Sequence, residues 1–151
     1  MLMKKVICVV EDEKAINDLV NQYLKKEGYE VRSYYTYEEA SAHVMDDDVH
    51  LWILDIMLDD KSGFDLIEEI RLQGRDIPVI FMSARDKEFD LLMLFIKNKG
   101  MAFNRDKILT SVWEENYFGS DRVVDDTLRR LRKKLPNLNI HTIYGYGYRL
   151  G

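Results

Sequence analysis

Acidic side chains follow two apolar runs, and their types and spacing suit phosphoryl chemistry. Glu11 and Asp12 come directly after Val6–Val10, and Asp55 comes directly after Leu51–Leu54. Because the carboxyl ends of neighbouring parallel strands meet at one edge of a sheet, we expect the three carboxylates to lie together. Such oxygen ligands suit Mg²⁺, and a carboxylate beside the ion can attack a phosphoryl donor. The alternative is a group of solvated loop acids, which the matching positions at two strand ends make less favourable.

A second group of candidate residues is basic and lies near the C-terminus. Apolar positions recur at helical spacing between Asp121, a predicted N-cap, and Pro136, and the cations fall mainly off that stripe. Such a helix fits the major groove of DNA, where arginines reach guanine edges and other cations pair with phosphates. A β-hairpin predicted from Ile140 to Leu150 carries aromatic and glycine residues before Arg149, which suits a wing on the DNA. For the helix alone, a solvated charged face is the alternative, and the hairpin favours DNA binding.

The elements that must position the acidic residues alternate between strands and helices. Continuous apolar runs predict strands at Val6–Val10, Leu51–Leu54 and Pro78–Met82, and a further strand is predicted at Tyr29–Tyr34. Helical spacing predicts helices at Ile16–Leu24, Glu38–Met45 and Phe64–Ile70. This alternation predicts a parallel sheet with right-handed crossovers. From Glu88 onward, three amphipathic helices precede the hairpin, which is the element order of a winged helix.

Charge divides the chain at a similar place. Residues 1–85 carry 10 Lys and Arg against 18 Asp and Glu, whereas residues 86–151 carry 12 against 9. This asymmetry indicates two modules with different partners, the basic one meeting nucleic acid, although ordinary surface variation is the alternative. The single Cys8 cannot form an internal disulfide, and no apolar run is long enough to span a bilayer. We therefore expect a cytoplasmic protein with no membrane partner.

Catalysis on a small-molecule substrate is not expected. The sequence has no nucleotide-binding glycine loop, and its three histidines lack partners at catalytic or metal-ligand spacing. We therefore predict a protein that is not an enzyme.

The first half of the chain resembles CheY-like receiver domains. The resemblance runs from about Lys4 to Lys87 and rests on Val9–Glu13, Leu54–Leu58, Ser62–Phe64 and Pro78–Ala84. It implies that Asp55 is the phosphoacceptor and that a sensor histidine kinase is a partner. It also implies that Glu11, Asp12, Asp55 and the backbone carbonyl of Met57 bind Mg²⁺. By the same resemblance, the Ser83 hydroxyl hydrogen-bonds the phosphoryl group.

The segment from Glu88 to Leu150 resembles the winged-helix effector domain of OmpR/PhoB-type two-component response regulators. The resemblance implies a recognition helix at Arg122–Leu135, a wing at Thr142–Leu150, and an RNA polymerase contact in the loop Glu114–Ser120. The residues expected to meet promoter DNA, from the basic helix and the wing, are Arg122, Thr127, Arg129, Arg130, Arg132, Lys133, Tyr146 and Arg149.

Part of the receiver is missing by comparison with this family. A complete member continues past Lys87-Glu88 with a helix, a fifth strand, a Lys-Pro pair, a last helix, a linker and a small antiparallel sheet. Here Lys87-Glu88 fits both neighbours, which indicates an in-frame deletion through a short similarity. We therefore expect a partial receiver in residues 1–87, an α/β domain with a CheY-like doubly wound parallel sheet of four strands. Residues 88–151 are expected to form a shortened winged helix-turn-helix domain.

The missing part predicts weakened control by phosphorylation. The receiver lysine, the switch aromatic residue and the dimerisation surface formed by the family's last receiver strand and its two neighbouring helices are all absent in this comparison. We therefore expect impaired phosphorylation, weakened Mg²⁺ binding and impaired coupling to DNA binding. Without a fifth strand, Val79–Met82 is expected to form an exposed apolar edge, which predicts a homodimer or a domain-swapped oligomer.

The sequence thus predicts a DNA-binding transcriptional regulator with an impaired phospho-switch. Two alternatives stay open. One is a signalling decoy that binds a sensor kinase or accepts its phosphoryl group without specific DNA binding. The other is a damaged or artificial chain with no cellular role.

Overall fold

The computed structural model describes residues 4–58, 61–74, 76–82, 87–113 and 119–151 of the 151-residue chain. The chain divides into two compact units, Met1–Ser83 and Ala84–Gly151. In the part of the chain that the structure describes, no helix is both long enough and apolar enough to cross a membrane.

The first unit is built on a parallel sheet whose strand order is β2-β1-β3-β6. Its strands are β1 (Val6–Val10), β2 (Glu30–Tyr34), β3 (Leu51–Leu54) and β6 (Val79–Phe81). The helices between them are α1 (Lys14–Lys26), α2 (Tyr37–Ser41) and α3 (Gly63–Arg71). The predicted four-stranded parallel sheet is therefore confirmed. A small antiparallel hairpin, β4 (Met57–Leu58) with β5 (Lys61–Ser62), was not predicted, because two-residue strands carry no periodic signal.

Both faces of this sheet are covered at its centre, which explains why strands β1 and β3 are continuously apolar. Val6, Cys8 and Val10 of β1 belong to a buried cluster with residues of α2 and α3. The alternate residues Ile7 and Val9 are also fully buried, and they point to the opposite face. Helix α1 packs against β1 and β2. Helices on both sides thus remove the strands from water, as in a doubly wound fold.

The second unit combines three helices with a three-stranded antiparallel sheet in the order β7-β9-β8. Its elements are α4 (Glu88–Lys97), β7 (Ala102–Asn104), α5 (Arg105–Val112), α6 (Arg122–Lys134), β8 (Ile140–Ile143) and β9 (Gly147–Leu150). The helices and the hairpin confirm the predicted winged-helix order. Strand β7 was missed, because three residues between a glycine turn and a helix give no alternation to read.

Three local expectations are corrected. Helix α2 ends at Ser41, so the predicted extension to Met45 is wrong. The Asp121 side chain makes no capping hydrogen bond to α6; instead, the backbone N–H of Arg122 donates to Ser120 Oγ over 3.2 Å. Among the described residues β6 is the edge strand of its sheet, as predicted, but the expected exposure is wrong for Val79 and Ile80, whose side chains are buried.

Candidate functional site

Three of the predicted acidic residues converge at the carboxyl edge of the parallel sheet. Strands β1 and β3 are neighbours, and Val10 is in register with Leu54, so the residues that follow them emerge side by side. One carboxylate oxygen from each of Glu11, Asp12 and Asp55 lies within 4.8 Å of the other two. Glu11 is buried, Asp55 is half-buried and Asp12 is exposed. The site is therefore a pocket with one solvent-facing side.

The pocket has the electrostatics of a cation site. Burial, then a hydrogen bond with Asp55 and the negative charges of Asp55 and Asp12, together raise the pKa of Glu11 to about 8. Among the described residues, Glu11 Oε2 is buried without a hydrogen-bond partner. A divalent cation would offset the repulsion among the three carboxylates, and Glu11 Oε2 could coordinate it. The oxygen-only donor set, with one open side, fits Mg²⁺, which retains several waters.

The backbone beneath Glu11 is held by a residue that the sequence interpretation did not identify. Asn17 of α1 is fully buried, and its Nδ2 donates to the carbonyl of Glu11 over 3.0 Å and to that of Tyr34 over 2.9 Å. The amide fixes the end of β1 against the end of β2, which orients the acidic turn. A polar residue beside the buried stripe of an amphipathic helix was the signal that could have revealed it.

Gly63 allows α3 to begin directly against Asp55. A Cβ atom at this position would lie 2.3 Å from the Asp55 carbonyl oxygen, so no larger residue fits without moving the backbone. The Gly63 N–H donates to the Ile56 carbonyl over 2.6 Å, and Ser62 caps α3 by accepting from the Phe64 N–H over 3.1 Å. The loop after Asp55 is therefore closed by backbone and capping bonds.

The remaining predicted residues of the phosphoryl site are only partly described. Met57 lies in β4, two residues beyond Asp55, where its backbone carbonyl is the predicted metal ligand. Ser83 lies outside the described residues.

On α6 the structure divides six cations into two groups. Three hold the second unit together. Arg130 Nε and Lys134 Nζ lie 3.0 and 2.5 Å from the two carboxylate oxygens of Glu88, which is fully buried at the start of α4. Arg132 donates to the Ile140 carbonyl over 2.7 Å. The other three are exposed: Arg122, Arg129 and Lys133.

Thr127, which was predicted to contact DNA, is buried in the second unit. Its side chain is only 1% exposed, and its Oγ1 accepts a hydrogen bond from Arg130 over 3.2 Å. Thr127 lies near Val124, Leu128 and Leu131 on the packed side of α6, which explains its burial. Arg130 and Arg132, also predicted to contact DNA, both make intramolecular bonds here, although about half of the Arg130 side chain stays exposed.

A partly buried polar network fixes α6 against its neighbours. Asp125 accepts a hydrogen bond from the Tyr148 hydroxyl of β9 and from Arg105 Nε of α5 over 2.9 Å. The guanidinium of Arg132 lies 5.4 Å from the centre of the Tyr148 ring. Burial alone would raise the pKa of Asp125, but the bonds from Tyr148 and Arg105 outweigh it and lower the pKa. Residue types alone did not predict this network, since its members are separated in sequence.

The wing presents aromatic side chains at its turn. Tyr144 is 94% exposed and Tyr146 is 47% exposed. Arg149 lies in the central strand β9 opposite Ala102 and His141 and is half-buried, so it is placed away from the turn. Of the loop predicted to contact RNA polymerase, residues 114–118 lie outside the described residues.

Comparison with known families assigns both units. The family model described as response regulator receiver domain matches residues 7–101, well over half of the chain. The chain belongs to the response-regulator family. A second family model, described as transcriptional regulatory protein, C terminal, matches residues 82–150. This response regulator thus combines a receiver with a DNA-binding domain of the OmpR/PhoB type, and both models include α4.

Individual relatives support the assignment and show that this chain is shorter than they are. The transcriptional regulatory protein CssR of Bacillus subtilis is 35% identical over 223 aligned positions that include 98% of this response regulator and 99% of CssR. The heme response regulator HssR of Staphylococcus saprophyticus is 24% identical, with 94% and 96% of the two chains covered. Since 223 aligned positions exceed the 151 residues present by 72, at least 72 positions of the alignment have no residue in this response regulator.

A solved structure agrees at the level of fold. The non-phosphorylated receiver domain of HemR from Leptospira biflexa matches with a TM-score of 0.55 and 23% identity, covering 87% of this response regulator and 94% of the HemR chain.

Proposed function

We propose that this response regulator binds promoter DNA through residues 88–151 and regulates transcription with little control by phosphorylation. It acts as a regulator rather than as an enzyme, in the cytoplasm. The observation that carries the proposal is the exposed face of α6, where Arg122, Arg129 and Lys133 stand free of the packing that holds the helix. Cations on the outer side of a helix fixed by its opposite face suit a major groove and its phosphates.

Residues 1–87 are proposed to retain the chemistry of a phosphoacceptor. Glu11, Asp12, Asp55 and the Met57 carbonyl would hold Mg²⁺, which would neutralise charge on the transferring phosphoryl group. An Asp55 carboxylate oxygen would form the bond to phosphorus as the bond to the donor breaks, leaving an acyl phosphate. A sensor histidine kinase is the proposed donor, because the family partners with such kinases. Ser83 is proposed to hydrogen-bond the phosphoryl group.

The phospho-switch is proposed to be impaired because of the missing internal segment. Compared with CssR, at least 72 positions are absent. By the family resemblance, this segment carries the receiver lysine, the switch aromatic residue and the dimerisation surface. Without the lysine, one positive charge on the phosphoryl oxygens is lost, so transfer to Asp55 slows. Weakened Mg²⁺ binding is a further part of this proposal.

Enrichment of genomic DNA fragments by the purified full chain tests the DNA-binding function. We predict that the wild-type protein at fixed physiological salt enriches a shared motif, and that Arg129→Ala weakens binding at least about tenfold by removing a base or phosphate contact. Lys14→Ala is the matched control, because Lys14 is an exposed cation of α1 in the first unit. No motif with the wild-type protein, or equal losses in both variants, would contradict the proposal.

A signalling decoy is the second candidate, and the assembled acidic pocket favours it. A decoy would accept phosphoryl groups at Asp55 and enrich no motif. RNA polymerase, through residues 114–120, and a homodimer or domain-swapped oligomer are further proposed partners. Sedimentation velocity over a wide concentration range tests the oligomer, and a strict monomer throughout would exclude it.

A further inference from the structure

Four of the five exposed residues of helix α6 form one narrow stripe, and the fifth, Arg130, borders it and contacts Glu88. Arg122, Asp126, Arg129 and Lys133 are all exposed and follow one another at spacings of four, three and four residues. At about 100° per residue, these positions span a sector of about 60°. The buried residues of α6 lie on the opposite side of the helix. Under the proposed function, on which this inference rests, the stripe is the surface that faces DNA.

Asp126 is an acidic residue in the middle of this basic stripe. Its side chain is 57% exposed, and its Oδ1 lies 3.7 Å from a guanidinium nitrogen of Arg129, whose side chain is 79% exposed. An exposed ion pair of this kind contributes about 0–1 kcal/mol, so it breaks readily when a stronger partner is available. Both side chains are therefore available to contact DNA.

A carboxylate in this place opposes binding to phosphates, because both groups are negative. The penalty applies wherever the helix meets DNA, and it is offset only where a base offers a hydrogen-bond donor. In the major groove, the cytosine N4 amino group is a donor that Asp and Glu accept from. A carboxylate that phosphates repel at every site, but that accepts a hydrogen bond from one base, increases the difference in affinity between operator and non-operator DNA.

We infer that Asp126 is a specificity-determining residue that accepts a hydrogen bond from a cytosine N4 amino group in the operator. Arg129 then donates to guanine O6 and N7 on the same or the adjacent base pair. Three residues advance a helix by about 4.5 Å, close to the base-pair spacing of about 3.4 Å, so both side chains reach within one base-pair step.

Selection from randomised DNA with the full chain at fixed salt tests this role. The proteins are the wild type, Asp126→Asn, Asp126→Ala and the control Asp90→Asn. Asp90 forms a similar pair with Lys87, at 3.6 Å and the same spacing of three residues, but on α4. We expect both Asp126 variants to lose the preference for cytosine at one position of each half-site, by about 5–150-fold. They should also bind non-specific DNA more tightly, whereas Asp90→Asn should keep the wild-type motif.

The outcomes separate this inference from the proposed function. A wild-type motif that both Asp126 variants retain at every position would overturn the role of Asp126 and leave the DNA-binding function standing. A wild-type protein that selects no motif would overturn both. Thermal melting of each variant verifies its fold, and the exposed position of Asp126 predicts melting temperatures close to the wild type.

Discussion

At the scale of single residues, the buried carboxyl group of Glu11 lowers the stability of the folded protein as the pH rises. The Glu11 carboxyl is buried beside Asp55 and Asp12, and its pKa is raised to about 8 from an ordinary value near 4.5. Between these values the unfolded chain loses a proton that the folded chain keeps. The free energy of unfolding contributed by this group therefore falls as the pH rises from about 4.5 to about 8. A bound cation would offset the repulsion among these carboxylates, so the same arrangement that lowers stability favours cation binding.

We predict that Glu11→Gln stabilises the metal-free protein and weakens its response to Mg²⁺. The amide cannot ionise, so the variant should gain about 1–3 kcal/mol over the wild type, a difference that grows between about pH 5 and pH 8 and then levels off. Melting curves with and without Mg²⁺ measure both effects, and Glu38→Gln, an exposed position on α2, is the control. A variant less stable than the wild type at pH 8, or one that Mg²⁺ stabilises as strongly, would contradict this.

At the scale of elements, α6 is oriented by polar contacts on its packed side. Asp125 joins α6 to Arg105 of α5 and to Tyr148 of β9, while Arg132 joins it to the carbonyl of Ile140 in β8. Gly147 lets β9 approach β7, because a Cβ there would lie 2.0 Å from the Phe103 carbonyl oxygen. Helix α6 and the β8–β9 hairpin are thus held by the same few contacts, so a substitution that breaks one contact is expected to displace both elements.

We predict that Tyr148→Phe lowers the stability of the second unit by about 0.5–1.5 kcal/mol, because it removes one hydrogen bond to the Asp125 carboxylate, which is partly exposed and keeps its bond from Arg105. DNA affinity should fall with it, as α6 and the wing lose their fixed geometry. Tyr144→Phe is the matched control, since Tyr144 is 94% exposed at the turn of the wing. Denaturant titration and DNA binding are measured together. Equal stability of the two variants would show that the hydroxyl of Tyr148 does not hold α6.

Sequence periodicity predicted the elements better than it predicted their contacts. The apolar runs and the four-three spacing marked the sheet strands and the main helices, because burial imposes those patterns. Strand β7 and the hairpin of β4 with β5 were missed since they are too short to show a period. Which cations of α6 are exposed was not readable either: Arg129 and Arg130 are neighbours of one type, yet only Arg130 contacts the buried Glu88.

At the scale of the whole molecule, the proposed loss of the phospho-switch concerns the coupling between the receiver and the DNA-binding domain. A phosphoryl group at Asp55 changes DNA binding only if it favours one of two states that differ in their affinity for DNA. Couplings that matter in regulation change affinity by about 5–150-fold. In the alignment with CssR, at least 72 positions have no residue in this chain, including those to which the family resemblance assigns the switch.

We therefore predict that a small acyl-phosphate donor with Mg²⁺ changes operator affinity by less than about fivefold, because the phosphoryl group no longer has a two-state element to bias. The fraction phosphorylated is followed by Phos-tag electrophoresis and the affinity by fluorescence anisotropy on the same samples, with Asp55→Asn as the control that cannot accept the group. An Asp55-dependent increase of fivefold or more would show that the shortened chain still transmits its signal. Phosphorylation of Asp55 without specific DNA binding would instead support the decoy, since the acidic pocket would then work while the basic helix does not.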